Sequence, residues 1–419
     1  MKIAIIGSGI SGLSAAWLLN KNHDVTLYEK SDYLGGHANT ATIEYDGKKI
    51  AVDTGFIVFN FRTYPNLKAF FELLDVKIEK SDMSFGIKDL DKDFEYSGSS
   101  LQGLFAQKKN FLNLPFLCML KDIIKFNKSA IKLIESKKKI DSKITLGDFV
   151  KNLKLGNYFR DYYLLPMAGA IWSCPIEMIQ NYPAKTFLQF FYNHGLLTVL
   201  NQPQWYTVSG GSKEYVKKVV ESFQDKVKLN NSVASVRSKG TKLELCDENG
   251  NIKLYDHVVF ASHPDQTIKI IDDITLAEKQ ILDSIKYNKN TAILHKDIKQ
   301  MPKRKNAYAS WVYLYSKKEN KVSLSYWMNN LQNIDSNYPL FVTLNPINKI
   351  PKEDIFGIYE YDHPVFDYSA IKAQKNLNDI QGIRNIWYCG AWTKYGFHED
   401  GINSAINIAK KLGVEIPWQ

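Results

Sequence analysis

MKIAIIGSGISGLSAAWLL, residues 1–19, is the stretch of this chain that decides its fold. Lys2 to Ile6 form a short apolar run that predicts a buried parallel strand, and Gly7, Gly9 and Gly12 follow in the spacing G-x-G-x-x-G. The first glycine permits a tight turn, the second lets the backbone approach a pyrophosphate, and the third lets a helix pack on the sheet. The amino end of that helix favours a phosphate group. The stretch therefore predicts one half of a dinucleotide site in a Rossmann-type α/β domain.

An acidic residue stands where a dinucleotide site needs one. The run VTLYEK ends a second predicted strand, and its Glu29 follows Gly12 by 17 positions. A carboxylate at that strand end can accept hydrogen bonds from ribose hydroxyls. Strand, helix, strand and acid in register favour the dinucleotide interpretation over a coincidental glycine turn. A secretory signal peptide is not indicated, because the glycines interrupt the apolar stretch and no A-x-A-like cleavage site follows.

Length and charge restrict the classes of protein that fit. The 419 residues exceed the roughly 250 to 300 at which a single core stops growing, so we expect two lobes. The net charge of +10 comes from lysine, since the chain has only five arginines, and no basic stripe with interleaved aromatic residues is present. Nucleic-acid binding is therefore not predicted. Weak attraction to an anionic membrane surface is compatible with this charge.

Cysteine usage and hydropathy bear on the compartment. The four cysteines are scattered without a C-x-x-C pair, so neither a zinc site nor a disulfide framework is indicated. No run approaches the roughly 18 apolar residues of a membrane-spanning helix. We expect a cytoplasmic protein that is able to lie on the inner face of a membrane without crossing it.

The chain returns to cofactor chemistry near its end. NIWYCGAWTKYGFHEDGINSAINIAKKL, residues 385–412, predicts a strand ending at Gly390, a loop, and a helix beginning near Gly401. The amino end of this late helix can direct N–H groups at a second electron-rich centre. The predicted architecture is a discontinuous dinucleotide-binding domain of residues 1–75, 203–268 and 376–419, and an α+β substrate domain with a helical cap of residues 76–202 and 269–375.

With both ends in view, the chain resembles the amine oxidase superfamily of FAD enzymes, which includes monoamine oxidases, protoporphyrinogen oxidase and phytoene desaturase. Within it, GGHANT, FIVFN, FASHPDQ, SYWMNNLQ and YGFHEDG are similar to a bacterial branch of flavoproteins expected beside cyclopropane fatty-acid synthase-like methyltransferases. That context implies fatty-acyl or phospholipid substrates. The motifs shared with the superfamily are GSGISG at 7–12, EK at 29–30, GG at 35–36, DTG at 53–55, SGG at 209–211, and CGAW and EDG within 389–401.

The resemblance implies a noncovalent FAD, because no cysteine stands in the usual position before the terminal motif. His37 replaces an arginine that much of the superfamily has after the glycine pair, which implies a neutral or titrating partner there. Phe61 stands where the branch is expected to have an acid. The implied contacts are Gly7, Gly9, Ser11 and Gly12 at the pyrophosphate, Glu29 at the ribose, Gly35 and Gly36 at the ribityl chain, Val233 at adenine, and Gly390, Asp400, Gly401 and Ile402 near the ribityl and isoalloxazine groups, with Ser8, Lys30, His37, Gly55 and Ala391 completing the predicted cofactor set.

His398 and Glu399 are the predicted catalytic residues, counted back from Gly401. A histidine beside a flavin can give or take a proton near neutral pH, whereas the aromatic cage of amine oxidases cannot. The alternative is that His398 caps the helix or hydrogen-bonds a flavin oxygen. Isolated histidines such as His263 and His295 are interpreted as structural groups, and no metal site is predicted.

Three functions remain open at this point. The first is an FAD-dependent oxidoreductase that transfers hydride to flavin N5 from an unsaturated or modified acyl chain, giving desaturation or double-bond isomerisation. The second is an amine oxidase producing hydrogen peroxide, which needs a lysine near N5, where Lys289 and Lys296 stand only at neighbouring offsets. The third is a non-catalytic lipid scaffold that binds flavin. The segment from Leu101 to Lys139 is compatible either with a membrane interface or with a plain amphipathic cap helix.

Overall fold

The computed structural model describes residues 1–136, 144–172, 179–193, 195–197, 202–319 and 321–419, with backbone only for 170–172. The strands are, in chain order, β1 Lys2–Ile6, β2 Asp24–Tyr28, β3 Thr40–Tyr45, β4 Lys48–Asp53, β5 Phe59–Asn60, β6 Ile78–Ser81, β7 Phe85–Asp89, β8 Phe94–Ser97, β9 Trp205–Val208, β10 Val227–Lys228, β11 Val233–Lys239, β12 Lys242–Asp247, β13 Ile252–Tyr255, β14 His257–Phe260, β15 Tyr287–His295, β16 Trp311–Ser316, β17 Lys321–Trp327, β18 Phe341–Leu344, β19 Ile355–Pro364 and β20 Ile386–Tyr388.

Helices lie between these strands and at the chain end. They are α1 Ile10–Leu19, α2 Pro65–Leu73, α3 Leu101–Leu104, α4 Leu114–Glu135, α5 Leu146–Asn152, α6 Asn157–Phe159, α7 Leu165–Trp172, α8 Ala184–Asn193, α9 Lys213–Val220, α10 Pro264–Ile270, α11 Leu276–Asp283, α12 Met328–Leu331, α13 Tyr368–Asn376 and α14 His398–Lys411.

The predicted parallel sheet is present, with the strand order β10-β2-β1-β14-β20 and parallel pairing throughout. Alternate side chains of β1 enter two different cores. Ile3 and Ile5 pack with helices α1 and α14, while Ala4 and Ile6 pack on the opposite face with the antiparallel sheet β11-β12-β13. A strand buried on both faces carries a continuous apolar run, as parallel strands do. The α/β fold class is confirmed.

Helices α1 and α14 pack against each other at their amino ends. A Cβ atom at position 401 would lie 2.7 Å from Cγ2 of Ile10 and 2.8 Å from Oγ of Ser11, so only glycine permits this approach. Two predicted boundaries were wrong by a few residues. The strand expected to end at Gly390 ends at Tyr388, and the helix expected near Gly401 begins at His398. The helix starts earlier because the side chain of Asp400 accepts hydrogen bonds from the backbone before it.

The second half of the fold is a seven-stranded mixed sheet with an aromatic helical layer. Its strand order is β19-β15-β18-β17-β16-β7-β8, in which only β7 and β16 pair in parallel. Helices α4 to α8 pack on one end of this sheet around a core rich in phenylalanine and tyrosine. The strands expected in residues 270–375 are present, and Asn-Gly at 249–250 makes the expected turn between β12 and β13. The two-domain boundaries stay a prediction.

Helix α4 is the longest helix in the described ranges, at 22 residues. Across those ranges no helix combines the length and the apolar character that a membrane span requires.

Candidate dinucleotide site and histidine cluster

The glycines of the first loop each meet a different steric demand. A Cβ atom at position 12 would lie 1.8 Å from the carbonyl oxygen of Gly7, whereas one at Gly9 would meet nothing within 4 Å. Gly9 is the N-cap of α1 and supplies no side-chain hydrogen bond to it. The first N–H groups of α1 therefore face open space, which is the arrangement that binds a pyrophosphate. On this test the loop fits FAD.

A second glycine turn lies against the first. Gly35 donates a backbone hydrogen bond to the carbonyl of Ser8 at 3.0 Å, and it forms a parallel bridge with Gly9. A Cβ atom at Gly36 would lie 3.2 Å from Cα of Gly9. The structure thus brings the two predicted glycine motifs together. The backbone at Gly35 and Gly36 contacts the backbone at Gly9, an approach that the absence of side chains permits.

Glu29 lies at the end of β2 beside this loop. Its Oε2 accepts hydrogen bonds from the amide and hydroxyl of Ser8, at 2.9 and 2.6 Å, and its Oε1 accepts one from the amide of Ser31. Its carbonyl accepts from Asn231, which places the entry to β11 at Val233 next to the same strand end. Val233 is buried, and Lys30 is exposed with its side chain toward solvent.

One buried carboxylate joins the DTG and SGG motifs. Asp53 accepts hydrogen bonds from the amide and hydroxyl of Ser212 and from the hydroxyl of Thr40, and burial raises the pKa of its carboxyl to about 6. Two residues later, a Cβ atom at Gly55 would lie 2.2 Å from the carbonyl oxygen of His37. Phe56 donates its amide to that same carbonyl at 2.7 Å. The DTG motif therefore positions His37 against the chain at Gly55.

The terminal motif forms a compact bend before α14. Gly390 donates its amide to Oγ of Ser404 at 2.9 Å, and Ala391 accepts the amide of Gly396. Asp400 accepts the amides of Phe397 and Tyr395 at 3.0 and 3.2 Å, and burial raises its pKa to about 6. Ile402 is fully buried behind it. This carboxylate caps its own helix, and its predicted contact with the cofactor stays a prediction.

Glu399 points its carboxylate at helix α2. It accepts hydrogen bonds from the amide of Leu67 at 2.9 Å, from the side-chain amide of Asn66 at 2.8 Å, and from Asn403 at 3.0 Å. Burial raises its pKa despite these bonds. Its partners lie at the amino end of α2, where a carboxylate is stabilised. The geometry favours an anchoring role, and the predicted catalytic role stays a prediction.

His398, the other predicted catalytic residue, is the first residue of helix α14 and lies against Phe56, next to the DTG motif. Its ring stacks on Phe56, with 3.6 Å between ring centroids, and its Nε2 lies 3.2 Å from the hydroxyl of the fully buried Tyr215. Burial, and then the neighbouring His37, lower the pKa of His398 to about 3. The imidazole is therefore neutral at physiological pH, where its lone pair can accept a hydrogen bond but a pKa this low makes it a weak base.

Three further histidines gather next to it, and we call His37, His263 and His363 the histidine cluster. The ring centroid of His37 lies 5.4 Å from that of His363 and 6.4 Å from that of His263, with Tyr361 at 4.9 Å. Burial is the main cause that lowers their pKa values, to about 4 for His37 and His263 and about 3 for His363. The cluster is therefore uncharged near neutral pH.

The sequence indicated only part of this cluster. The sequence predicts that His263 is a satisfied structural group. In the structure its Nδ1 has no hydrogen-bond partner among the described residues, and its ring stacks on Tyr287. The sequence does not single out His363. Its Nδ1 lies 2.9 Å from the side-chain amide of Asn290 on the facing strand β15. The prediction for His295 is confirmed, since both its ring nitrogens are hydrogen-bonded.

The two lysines considered for an amine oxidase lie elsewhere. Lys289 is exposed on β15, opposite Asp362 of β19. The Nζ of Lys296 lies 5.5 Å from the ring centre of Tyr45, in a different part of the seven-stranded sheet. Phe61, which replaces the expected acid, stacks on Tyr206 with centroids 4.1 Å apart.

His398 also adjoins the aromatic helical layer. Phe397, the residue before it, packs against both the core under the parallel sheet and the aromatic core of α4 to α8. Phe190 of α8 stacks on Phe397 with centroids 5.2 Å apart, and Tyr395 lies 5.5 Å from Phe190. The imidazole of His398 is therefore at the junction between the glycine loops and an apolar aromatic region.

Comparison with known proteins agrees with this geometry. A model of the family described as flavin containing amine oxidoreductase matches residues 10–296. The chain belongs to that family. The protein is an FAD-dependent oxidoreductase, and its loops fit the cofactor as described above.

Individual relatives are more distant. The chain is 30% identical over 190 residues to the uncharacterized protein MJ1488 of Methanocaldococcus jannaschii, and the alignment covers 43% of each chain, so it spans less than half of that relative. Among solved structures, a redesigned putrescine oxidase aligns with a TM-score of 0.71, and a CLA-producing fatty acid isomerase from P. acnes with 0.68. Both are 15% identical over 98% of either chain. At this identity the likeness shows the fold.

Proposed function

We propose that this FAD-dependent oxidoreductase moves a double bond in an unsaturated acyl chain. The observation that carries the proposal is the position of His398, a neutral imidazole with a pKa lowered to about 3, between the dinucleotide loops and the aromatic core that begins at Phe397. FAD, when bound, supplies a hydride acceptor at N5 that can return the hydride to a different carbon. Such an isomerisation is redox-neutral and needs no external acceptor, whereas desaturation would need one.

Several residues of the described loops hold the cofactor in this proposal, and Lys30 and Val233 hold its adenosine end from the rim. The thiol of Cys389 is buried on the strand side with its pKa raised to about 12, which supports a noncovalent FAD. The proposed contacts are Gly7, Ser8, Gly9, Ser11, Gly12, Glu29, Gly35, Gly36, His37, Gly55, Gly390, Ala391, Asp400, Gly401 and Ile402.

His398 acts as the proton acceptor and donor in this proposal. Its neutral Nε2 contacts the hydroxyl of Tyr215, which holds the ring in one orientation, and Phe56 fixes the ring plane by stacking. A base held in place can take the proton from the carbon next to the one that gives up its hydride, which leaves a conjugated diene. It returns the proton to one diene carbon as the hydride returns to another, so that one displaced double bond remains. Phe397, the residue before His398, stacks on Phe190, so the chain on that side of His398 is aromatic rather than polar.

The surrounding polar groups support an uncharged substrate segment. A cationic amine would be attracted by an unsatisfied carboxylate, but Asp53, Glu399 and Asp400 each accept several hydrogen bonds from the protein. The apolar aromatic core beside His398 suits a hydrocarbon chain instead. The structural likeness to a fatty acid isomerase from P. acnes is consistent with this substrate class.

The test is anaerobic absorbance of the FAD-loaded protein during titration with unsaturated fatty acids and with phospholipids that carry them, followed by mass spectrometry of the chains. We expect a shifted double bond at unchanged mass. His398→Ala should lower turnover by about 10²-fold or more, the range of a lost acid–base group. Tyr215→Phe keeps the buried ring and removes only the hydroxyl that contacts His398, so it should lower turnover less than His398→Ala does. Unchanged lipid with every substrate, at full FAD loading, would contradict the proposal.

Amine oxidation is the second candidate, favoured by the family itself and by the likeness to putrescine oxidase. This function predicts that amines bleach the flavin absorbance under anaerobic conditions. It also predicts that hydrogen peroxide forms when air is readmitted. If one of the two lysines serves amine oxidation, the variant that removes it, Lys289→Met or Lys296→Met, should impair the reaction. Because Lys289 is exposed and the Nζ of Lys296 lies over the ring of Tyr45, we expect less than about twofold change in either variant. Retained FAD, with no flavin reduction and no chemical change in any lipid or amine, would instead favour the scaffold.

A further inference from the structure

Large apolar side chains are exposed along one segment of the helical layer. Leu112 is 89% exposed and Leu114 is 71% exposed, and their exposed neighbours lie within the same 24 residues of chain. A contiguous apolar surface of this kind marks a site of interaction with a partner or a membrane. We call it the apolar face, formed by Leu101, Phe111, Leu112, Leu114, Leu117 and Ile124.

The structure holds these side chains outward on a braced scaffold. The side chain of Asn113 caps α4 by accepting the amide of Phe116 at 3.3 Å, so the helix begins directly behind Leu112. Phe111 stacks on Phe105 at 3.9 Å between centroids, and Phe105 meets the fully buried Phe116 edge-on at 6.0 Å. Ring contacts from Phe111 through Phe105 to Phe116 thus connect the apolar face to the core. This packing holds the exposed side chains in place.

The charges around the apolar face identify its partner. Residues 101–135 contain six lysines and two acidic residues, a net charge of +4. Both acids are engaged by the protein, because Asp122 accepts the amide of Gly156 and Glu135 accepts the hydroxyl of Tyr192. On the outer side of α4 exposed leucines and lysines share one face at helical spacing, as in helices that lie in a membrane interface. The exposed lysines are Lys108, Lys109, Lys121, Lys125, Lys128 and Lys132.

We propose that the apolar face docks this protein on an anionic lipid bilayer. Apolar side chains enter the acyl boundary while lysines bind acidic headgroups, and this combination is what a bilayer offers. A second copy of the chain would bring its own +4 segment against this one, which opposes pairing through the same face. The bilayer is therefore the occupant that complements both the apolar surface and its charge.

Docking there would also place the substrate source next to the site. The inner side of α4, with Phe116, Met119 and Phe126, belongs to the same aromatic core that reaches Phe397 beside His398. An acyl chain leaving the bilayer at the apolar face would have to pass between these packed side chains to reach His398. This last step rests on the proposed function, whereas docking itself rests only on the exposed residues and their charges.

Vesicle co-sedimentation of the FAD-loaded protein tests the docking. We expect binding to phosphatidylglycerol vesicles that is much stronger than binding to phosphatidylcholine vesicles. Leu114→Gln should weaken it about threefold or more, the effect of removing several buried methylene groups. Leu276→Gln is a matched control, because Leu276 is also the first residue of a helix and is 72% exposed. Lys121→Gln with Lys128→Gln should weaken anionic binding about fivefold per charge and leave the weak phosphatidylcholine binding unchanged.

Two readouts separate the other outcomes. Light scattering without lipid would overturn the proposal if it showed a dimer that Leu114→Gln dissolves. A fluorophore on the exposed Cys118, with the other cysteines changed to serine, should shift to the blue only with anionic vesicles. Equal effects of Leu114→Gln and Leu276→Gln would also overturn it. Turnover of detergent-dispersed substrate reports the proposed function separately, because that assay needs no bilayer.

Discussion

The dinucleotide loops and the aromatic helical layer meet at His398 but are built in different ways. In the loops, glycines at stated spacings permit backbone contacts that any larger residue would block, as Gly12 and Gly401 show. In the helical layer, side chains such as Phe116 and Phe190 fill a core that many apolar combinations could fill. Substitution of a single glycine in the loops should therefore abolish folding or FAD binding. A single substitution in the helical layer should only lower the stability of the fold.

The largest expected effect is at Gly12. Gly12→Ala places a methyl group 1.8 Å from the carbonyl of Gly7, so we expect no folded FAD-loaded protein. Gly9→Ala meets nothing within 4 Å and should fold, but its methyl group occupies the space left for the pyrophosphate. Flavin content and thermal melting distinguish the two. Equal behaviour of the two variants would remove the contrast on which the comparison depends.

A substitution in the aromatic helical layer should lower the free energy of unfolding without loss of bound FAD. Phe116→Ala leaves a cavity at a fully buried position, and the expected loss is about 3 to 5 kcal/mol of unfolding free energy. Because Phe116 packs in a different core from the residues around the glycine loops, the folded variant should retain its FAD at low temperature. Denaturant unfolding and flavin absorbance measure the two effects. FAD loss from the folded variant would show that the regions are more tightly coupled than their construction suggests.

Glu399 sharpens the comparison at the junction. Glu399→Gln weakens the hydrogen bonds that hold Leu67 and Asn66 to α14, at an expected cost of about 1 to 3 kcal/mol in stability. Turnover per bound FAD should stay near that of the unchanged protein, in contrast to His398→Ala. Asn403→Ala, which removes a neighbour of the same carboxylate, is the control for anchoring. A large loss of turnover with unchanged stability would instead support the catalytic role predicted for Glu399.

The smallest expected effect is in the histidine cluster and depends on pH. His263 has a folded pKa lowered to about 4, below the ordinary 6.5 of an unfolded histidine, so between these values the unfolded chain binds the extra proton. Stability is then fully present above pH 6.5 and is lost as pH falls toward 4, at about 1.4 kcal/mol per pH unit for one group. His263→Phe keeps the stacking on Tyr287 and should reduce that slope by one proton.

Unfolding free energies measured from pH 4.5 to 7.5 test this slope. Phe116→Ala is the comparison variant, because it should lower the whole curve without changing its slope. An unchanged slope in His263→Phe would mean that His263 titrates alike in the folded and unfolded protein.

Much of the framework was predictable because it depends on local rules. The apolar run before Gly7 predicts a buried strand, and the glycine spacing predicts the turn and helix that follow. The start of α14 was placed three residues too late, since the cap depends on where the carboxylate of Asp400 folds back. The histidine cluster was not predictable, because His37, His263 and His363 come from a turn, a helix cap and a strand. Only chain folding brings their rings within 5.4 to 6.4 Å.

The sequence by itself determined the α/β class, the dinucleotide loops and the family resemblance, because glycine spacing and an apolar strand act within a few residues of one another. Tertiary structure decided the rest. It directed Glu399 toward α2, put His398 against Phe56 and Tyr215, and left Lys289 on an exposed strand face. These outcomes depend on which distant elements pack together, and burial, which lowers the pKa of each clustered histidine, exists only once that packing is complete.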